Sequence, residues 1–356
     1  MCHVAYLAGC DGADSTVRRA LGVDFPGGTY SRLFYVADVE ANGPATDHEL
    51  HVDLDEADLL AVFPLKEPGC IRLVGTIRED LATGDHELSF DDVSDRAIQH
   101  LKLTISKVNW FSTYHVHHRV GRQFRQGRAF LVGDAAHIHS PVGAQGMNTG
   151  IGDAVNLAWK IAAVVDGRGP DSLLDTYETE RIGFARRLVS TTDRVFTVVM
   201  RQGPLAEQVR TRAFPGVAPL LLRLPALRVW VFRTVSQIGV NYRDSLLSVG
   251  VAGPLRGGDR LPWVRTGPDE DNFAPLTSLG WQVHIYGEPA AGLAERCATL
   301  GLPLVAFPWS PGVGQTSGLR RGVLYLIRPD GYLALIDEEA SPQRLEEYFA
   351  KRGLQP

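Results

Sequence analysis

The chain has 356 residues, of which 44% are hydrophobic and 22% charged, enough for two or three domains and free of collagen, coiled-coil or disorder bias. A formal net charge of -5 and a pI near 6.1 supply no basic footprint for a phosphate backbone, which excludes nucleic acid as a partner. No stretch of about 18 uncharged apolar residues occurs, since the best one is broken by Arg223, Arg228 and Arg233, which excludes a membrane span.

In chain order, residues 4–8 form a short apolar strand that meets the turn Gly9-Cys10-Asp11-Gly12. Ser15 then caps a helix running to about Leu21, with Arg18 one turn later on its surface. From Tyr30 to about Ile105 the pattern becomes short segments rich in Val, Leu, Phe and Ile (33–39, 59–63, 71–77) between Gly, Pro and Asp clusters, an antiparallel sheet. Near Arg119 the chain returns to alternating strand and helix. Residues 129–132 are a continuous apolar strand ending at Gly133-Asp134, then come a glycine-rich loop and a long helix. In that helix Ile151, Ala154, Val155, Ala158, Ile161, Ala162 and Val165 recur at helical spacing and are expected to be the buried stripe. A second helix covers 173–189, and 196–245 is mainly helical. A further unit begins near Gly250, with strands at 282–286, 323–327 and 332–336 and a terminal helix from Pro342.

The segment Gly127-Arg128-Ala129-Phe130-Leu131-Val132-Gly133-Asp134-Ala135-Ala136-His137, continuing to Gly150, carries the clearest chemistry. A carboxylate at the carboxyl end of a buried strand sits where α/β sheets bind ligands, and Asp134 there suits ribose or polyol hydroxyls. Gly143, Gly146 and Gly150 let backbone approach a flat ligand, and the following helix N-terminus offers free N–H groups and positive partial charge. The plain alternative is a strand-end turn with a capping aspartate.

The whole run closely resembles the GD motif of the class A FAD-dependent aromatic monooxygenases, the para-hydroxybenzoate hydroxylase and phenol hydroxylase type. Gly9 to Gly22, with Asp11, Gly12 and Arg18, resembles the DG motif of the same family. Leu173-Leu174-Asp175-Thr176-Tyr177-Glu178-Thr179-Glu180-Arg181 is similar too, although Ile182-Gly183 departs from the family's usual proline. Leu326-Ile327-Arg328-Pro329-Asp330-Gly331-Tyr332 resembles the C-terminal thioredoxin-like domain of the larger aromatic hydroxylases.

The resemblance implies an α/β fold with five parts: a partial Rossmann-like FAD-binding unit at 1–25, an inserted antiparallel substrate-binding sheet at 26–118, the return of the FAD-binding unit at 119–195, a helical connection at 196–249, and a thioredoxin-like domain at 250–356. It further implies that NAD(P)H reduces FAD, that O2 forms a flavin C4a-hydroperoxide, and that hydroxyl passes to a small aromatic or polyketide-like substrate. Asp134 would hold the ribityl chain, Pro141 and Gly143 would line the isoalloxazine, and Gly146, Met147 and Asn148 would meet its pyrimidine edge. Gln145 and Gly12 belong to the same cofactor-binding set, and Asp11 and Arg18 would serve FAD and NAD(P)H.

The family's glycine-rich GxGxxG turn is not found ahead of the DG motif. The nearest match, Gly312 to Gly318, has one residue too many and is expected to be a loop. The chain is therefore expected to be a fragment, a late start or a decayed enzyme, and the alternative function is a non-catalytic binding or interaction module. His115, His117, His118, His137 and His139 fit no common metal-ligand spacing: the first three read as a polar strand edge and His137 as part of the flavin loop. Asp53, Asp55, Glu56 and Asp58 lack the glycine and terminal glutamate of a calcium loop. Cys2, Cys10, Cys70 and Cys297 show neither disulfide nor zinc spacing, which fits a reducing cytoplasm. With Cys297 alone the last domain would be redox-silent and serve packing or subunit contact, as in a homodimer.

Overall fold

The computed structural model describes residues 3–54, 59–77, 88–93, 95–140, 145–199, 223–267 and 269–356. Strand β1 (Leu7–Gly9) leads through the Asp11-Gly12 turn into helix α1 (Thr16–Ala20). Ser15 caps α1 as the sequence predicts, its Oγ accepting the Arg18 N–H at 2.9 Å.

The chain then builds β2 (Gly27–Asn42), β3 (His51–Leu54), β4 (Leu59–Pro64), β5 (Cys70–Thr76), α2 (Asp95–His100) and β6 (Thr104–Val120). These strands, with the later β9 (His137–Ile138), form a six-stranded antiparallel sheet in the order β3-β4-β5-β2-β6-β9. Alternation decides its inner face: Leu33, Tyr35, Ala37, Val39 and Ala41 of β2 are buried together with Leu60, Val62, Ile71 and Leu73. Register makes Ala37 face Leu73 and Val39 face Ile71, and α2 closes the core with Ala97 and Ile98, the arrangement that a period of two produces.

Next come β7 (Arg125–Gln126), β8 (Ala129–Leu131), β9 (His137–Ile138), α3 (Gly146–Val165) and α4 (Asp175–Val199). β8 pairs in parallel with β1, Ala8 opposite Phe130, and antiparallel with β7. Phe124, Phe130, Leu131 and Tyr177 pack behind this small sheet.

All of the expected apolar stripe of α3 except Ile161, which packs against the Phe130 and Tyr177 core, faces outward. Ile151, Val155 and Val165 are 52%, 45% and 58% exposed, whereas the buried residues are Thr149, Asp153, Asn156, Leu157, Lys160 and Ala163. Helical spacing found the helix but not its face, because the inward side is polar and is satisfied by charges that come from distant parts of the chain.

After α5 (Pro225–Val235), β10 (Val251–Ala252) and β11 (Leu255–Arg256) form a small hairpin. The C-terminal unit follows, with β12 (Gln282–Tyr286), α6 (Leu293–Leu300), β13 (Leu304–Phe307), α7 (Pro311–Ser317), β14 (Leu324–Ile327), β15 (Leu333–Asp337) and α8 (Pro342–Ala350). Its sheet runs β13-β12-β14-β15, with β12 parallel to β13 and antiparallel to β14, so a βαβ unit is followed by a ββα unit. β12, β14 and β15 are buried along their whole length, since α6 and α8 cover one face while Leu255, Leu261, Val313 and Leu319 cover the other. The Gly312 to Gly318 segment, expected to be a loop, is instead α7 with Gly318 as its left-handed C-cap. Ala163 and Leu173 join the α6/α8 core, which seats the C-terminal unit on α3 and the turn before α4.

Candidate functional site

The end of β8 places the candidate aspartate. Val132 is still extended, Gly133 turns with φ +61°, and residues 133–135 form one 3-10 turn. That positive φ favours glycine, and an ideal Cβ on Gly150 of α3 would lie 3.3 Å from the Gly133 Cα, so both positions are held to a glycine-sized approach. Asp134 is exposed at the carboxyl end of β8, and its carboxylate has no hydrogen-bond partner among the described residues.

The helix that follows starts at Gly146 with no side chain capping it. Met147 is 77% exposed and Asn148 is exposed, so the side chains of the first turn face the outside. Gln145 is buried and turned toward α5, its Nε2 3.4 Å from the Thr234 carbonyl. Gln237 reciprocates by donating to Thr149 Oγ1 at 2.7 Å. Pro141 and Gly143 lie outside the described residues.

The other motif meets this one through Arg18. Its guanidinium is buried, not on the surface as the helix reading expects: Nη1 donates to the Ala135 carbonyl at 2.9 Å, Nη2 to the Ala13 carbonyl at 2.7 Å, and the group lies 3.9 Å over the Phe25 ring. Arg18 thus ties α1 to the Asp134 turn. Asp11 accepts from the Ser15 hydroxyl at 2.6 Å and from the N–H groups of Thr16 and Val17 at 2.7 and 3.1 Å, bonds that hold its carboxyl below the usual range. Gly12 turns at φ +77° with no atom within 4 Å of an ideal Cβ.

Sequence reading missed the support beneath the turn. His137 is not an open loop residue: it is 1% exposed, with Nε2 2.7 Å from Asp153 Oδ2. The same oxygen accepts the Gly133 N–H at 3.0 Å. His139 sits beside the start of α3, its Nδ1 bonded to the Ser140 carbonyl at 2.7 Å and its buried Nε2 without a partner among the described residues; burial pushes its pKa down. The signal was the i, i+3 and i, i+7 spacing of Asp153, Asn156 and Lys160, polar residues sharing one helix face.

His115, His117 and His118 lie on β6, paired with β2 across from Leu33, Thr29 and Gly28. His117 Nδ1 bonds Thr29 at 2.8 Å, and His118 stacks near Tyr30, whose hydroxyl reaches Asp193 of α4. Beside His118 a cleft of about 380 Å3 opens between β6 and α4, with Arg119, Arg186 and Val189 in its wall. Among the described residues no helix is long and apolar enough to cross a membrane.

A free carboxylate at a strand end, a glycine-sized turn and a helix start without a side-chain cap thus lie together in an α/β fold. A family profile described as an FAD binding domain matches residues 2–192. The chain is 32% identical to a flavin-dependent monooxygenase of Mycobacteroides abscessus, over 98% of this chain and 67% of that protein. It is 31% identical to the 6-methylpretetramide 4-monooxygenase of Streptomyces rimosus, over 93% of this chain and 63% of that protein. The solved anhydrotetracycline hydroxylase OxyS of Streptomyces rimosus superposes with a TM-score of 0.72 at 28% identity, covering 99% of this chain and 69% of that one. The chain belongs to the FAD-dependent aromatic monooxygenase family, and it spans about two thirds of the length of these relatives.

Proposed function

We propose that this chain serves the FAD- and NAD(P)H-dependent hydroxylation of an aromatic or polyketide-like substrate with O2. The observation that carries the reading is Asp134, an exposed carboxylate with no partner among the described residues, on a turn that buried groups hold rigid. A carboxylate left open while its neighbours are fixed is a group prepared for an external donor. The names of the relatives, which act on a pretetramide and an anhydrotetracycline, support a polycyclic aromatic substrate class.

The residues present fit the flavin. Asp134 would accept hydrogen bonds from the ribityl hydroxyls, and the first-turn N–H groups of Gly146, Met147 and Asn148 would meet the pyrimidine edge. The positive end of α3 favours negative charge there. Pro141 and Gly143 would line the ring, with Gln145 bracing the start of α3 against α5. Asp11 and Gly12 shape the neighbouring turn, and Arg18 joins it to the flavin segment and, in our reading, contributes to NAD(P)H binding. The flavin, when bound, supplies the redox chemistry with O2, and the protein supplies orientation and fixed charge. The inserted sheet would cover the substrate, with the cleft beside His118 and Arg186 on its α4 side. We assign the five units with the boundaries expected from sequence, and read the thioredoxin-like unit as a packing or subunit-contact element.

FAD titration of the protein and its Asp134→Ala variant tests this. Losing a charged acceptor worth about 1.5–3 kcal/mol weakens FAD by roughly tenfold to a hundredfold. Equal affinity in the two proteins would remove Asp134 from the site, and failure of the purified protein to take up any FAD would sink the flavin reading.

A further inference from the structure

Behind the Gly133 turn lies a chain of buried polar side chains, none of which is a proposed cofactor contact. Asp153, on the inward face of α3, is fully buried. Its Oδ2 accepts the Gly133 N–H and its Oδ1 accepts Arg181 Nε at 2.5 Å. Arg181, 3% exposed, places its remaining nitrogens on two further partners: Nη2 donates to the Thr149 carbonyl at 3.0 Å, and Nη1 to the Tyr242 hydroxyl at 2.9 Å. Tyr242, at the end of the 196–249 connection, packs as part of the C-terminal unit, since its N–H donates to the Gly258 carbonyl at 2.7 Å and its ring lies tilted against Tyr332 with centroids 4.2 Å apart.

The two backbone ends of this chain are informative. One is Gly133, the residue before Asp134. The other is Thr149, in the first turn of α3. These are the two features assigned to the flavin: the Asp153 carboxylate ties the Gly133 N–H to α3, and the planar Arg181 guanidinium holds that carboxylate against the Thr149 carbonyl through bonds of defined direction. A buried ion pair contributes little net stability compared with apolar packing of the same volume, whereas held geometry at a binding site is what such a pair does supply.

We propose that Tyr242, Arg181 and Asp153 form a positioning relay through which the C-terminal unit sets the spacing between the Asp134 turn and the start of α3, an inference that rests on the flavin reading of these two features. The C-terminal unit, without a Cys-x-x-Cys pair, then acts on the cofactor site mechanically and not by thiol chemistry.

The test uses the full chain and two conservative variants. Tyr242→Phe removes only the hydroxyl that accepts from Arg181. Tyr348→Phe removes an equally buried hydroxyl of the same unit, one that donates to the Leu247 carbonyl at 2.7 Å and lies outside the relay. Amide exchange at Gly133 is read without flavin, and FAD affinity with the visible circular dichroism of bound flavin is read beside it. In Tyr242→Phe the Gly133 amide is expected to exchange about fivefold or more faster, FAD to bind at least about threefold more weakly, and the dichroism band to change. Tyr348→Phe loses comparable thermal stability with all three readouts unmoved. An unchanged Gly133 amide in Tyr242→Phe, or equal changes in both variants, would overturn the relay. A responsive amide in a protein that takes up no FAD would instead sink the flavin reading and leave the mechanical link standing.

Discussion

The inward faces of β2 and of α3 are both buried, yet they are made of opposite materials. β2 presents Leu33, Tyr35, Ala37, Val39 and Ala41 to a core of Leu60, Val62, Ile71 and Leu73. α3 presents Asp153, Asn156 and Lys160 to Glu180 and Arg181, and Glu180 is bound in turn by Arg328. Glu180 alone accepts from Arg328 twice, at 2.7 and 2.9 Å, from Lys160 at 2.7 Å, from Asn156 at 2.6 Å and from Ser245 at 2.6 Å. Arg328 is further held by Asp330 and lies over the rings of Trp159, Tyr242 and Tyr332. An apolar face tolerates repacking because dispersion has no direction. A face of fixed donors and acceptors tolerates almost none, because each lost partner strands a buried group. The sheet is therefore the durable part of the molecule, and the seam between α3, α4 and the C-terminal unit is the part that specifies geometry.

The largest expected effect breaks that contrast at its strongest point. Glu180→Ala leaves Lys160 and Arg328 buried, with Asp330 still bonded to Arg328, and removal of one partner from such a pair lowers stability by about 3–5 kcal/mol. In the sheet, Leu73→Ala opens a cavity at a fully buried site and lowers it by roughly 3 kcal/mol. Urea unfolding of both variants checks the order. Glu180→Ala should also separate unfolding of the C-terminal unit from that of the rest, while Leu73→Ala should not; a single shared transition in Glu180→Ala would show that the seam is no more specific than the core.

This difference also explains what could be read from the sequence. The sheet strands, β8, the long helix, the Ser15 cap and the C-terminal strands follow from local periodicity and turn chemistry, and each is present close to where it was expected. The orientation of α3 was not legible, since Ile151, Val155 and Val165 give a better apolar stripe than the true inward face does. What turns Asp153 and Lys160 inward is Arg181 and Glu180, and Glu180 is itself held by Arg328, 168 residues beyond Lys160 in the chain, so no local window contains the whole set. Likewise Arg18 looked like a surface residue because its acceptor, the Ala135 carbonyl, comes from a strand turn more than a hundred residues away. The place of Asp134 at the end of a buried strand was legible for the converse reason: the apolar run before it and the glycine beside it are local.

A smaller effect sharpens the contrast through pH. Burial pushes the Lys160 ammonium down to about 8 from its ordinary value of 10.5, with Glu180 pulling it back up. A base whose folded pKa lies below its unfolded one binds fewer protons in the folded state, so stability rises as pH climbs between about 8 and 10.5. Lys160→Met keeps the stem volume and leaves Glu180 to Arg328. The difference between wild type and Lys160→Met, followed by urea unfolding at several values across this window, should therefore grow in favour of wild type as pH rises. A difference that stays flat would mean that the seam holds Lys160 without any penalty for its charge.

The smallest expected effect lies at the exposed turn before α1, where Asp11 and Ser15 share one cap. Ser15 Oγ donates to Asp11 and accepts the Arg18 N–H, so Ser15→Ala removes one N-cap bond and one bond that orients Asp11. Loss of a serine cap is worth about 1 kcal/mol, well below the effect expected at Glu180. The helix is only five residues long, but Arg18 within it is anchored independently to the Ala13 and Ala135 carbonyls and to Phe25, so fraying of the first turn should stop before it reaches the Asp134 turn. Thermal unfolding of Ser15→Ala should accordingly show a small shift, with FAD affinity within about twofold of wild type. An affinity loss matching that of Asp134→Ala would mean that the cap, through Arg18, controls the cofactor turn as strongly as the relay behind Asp153 does, and the division between a specifying seam and a supporting turn would have to be redrawn.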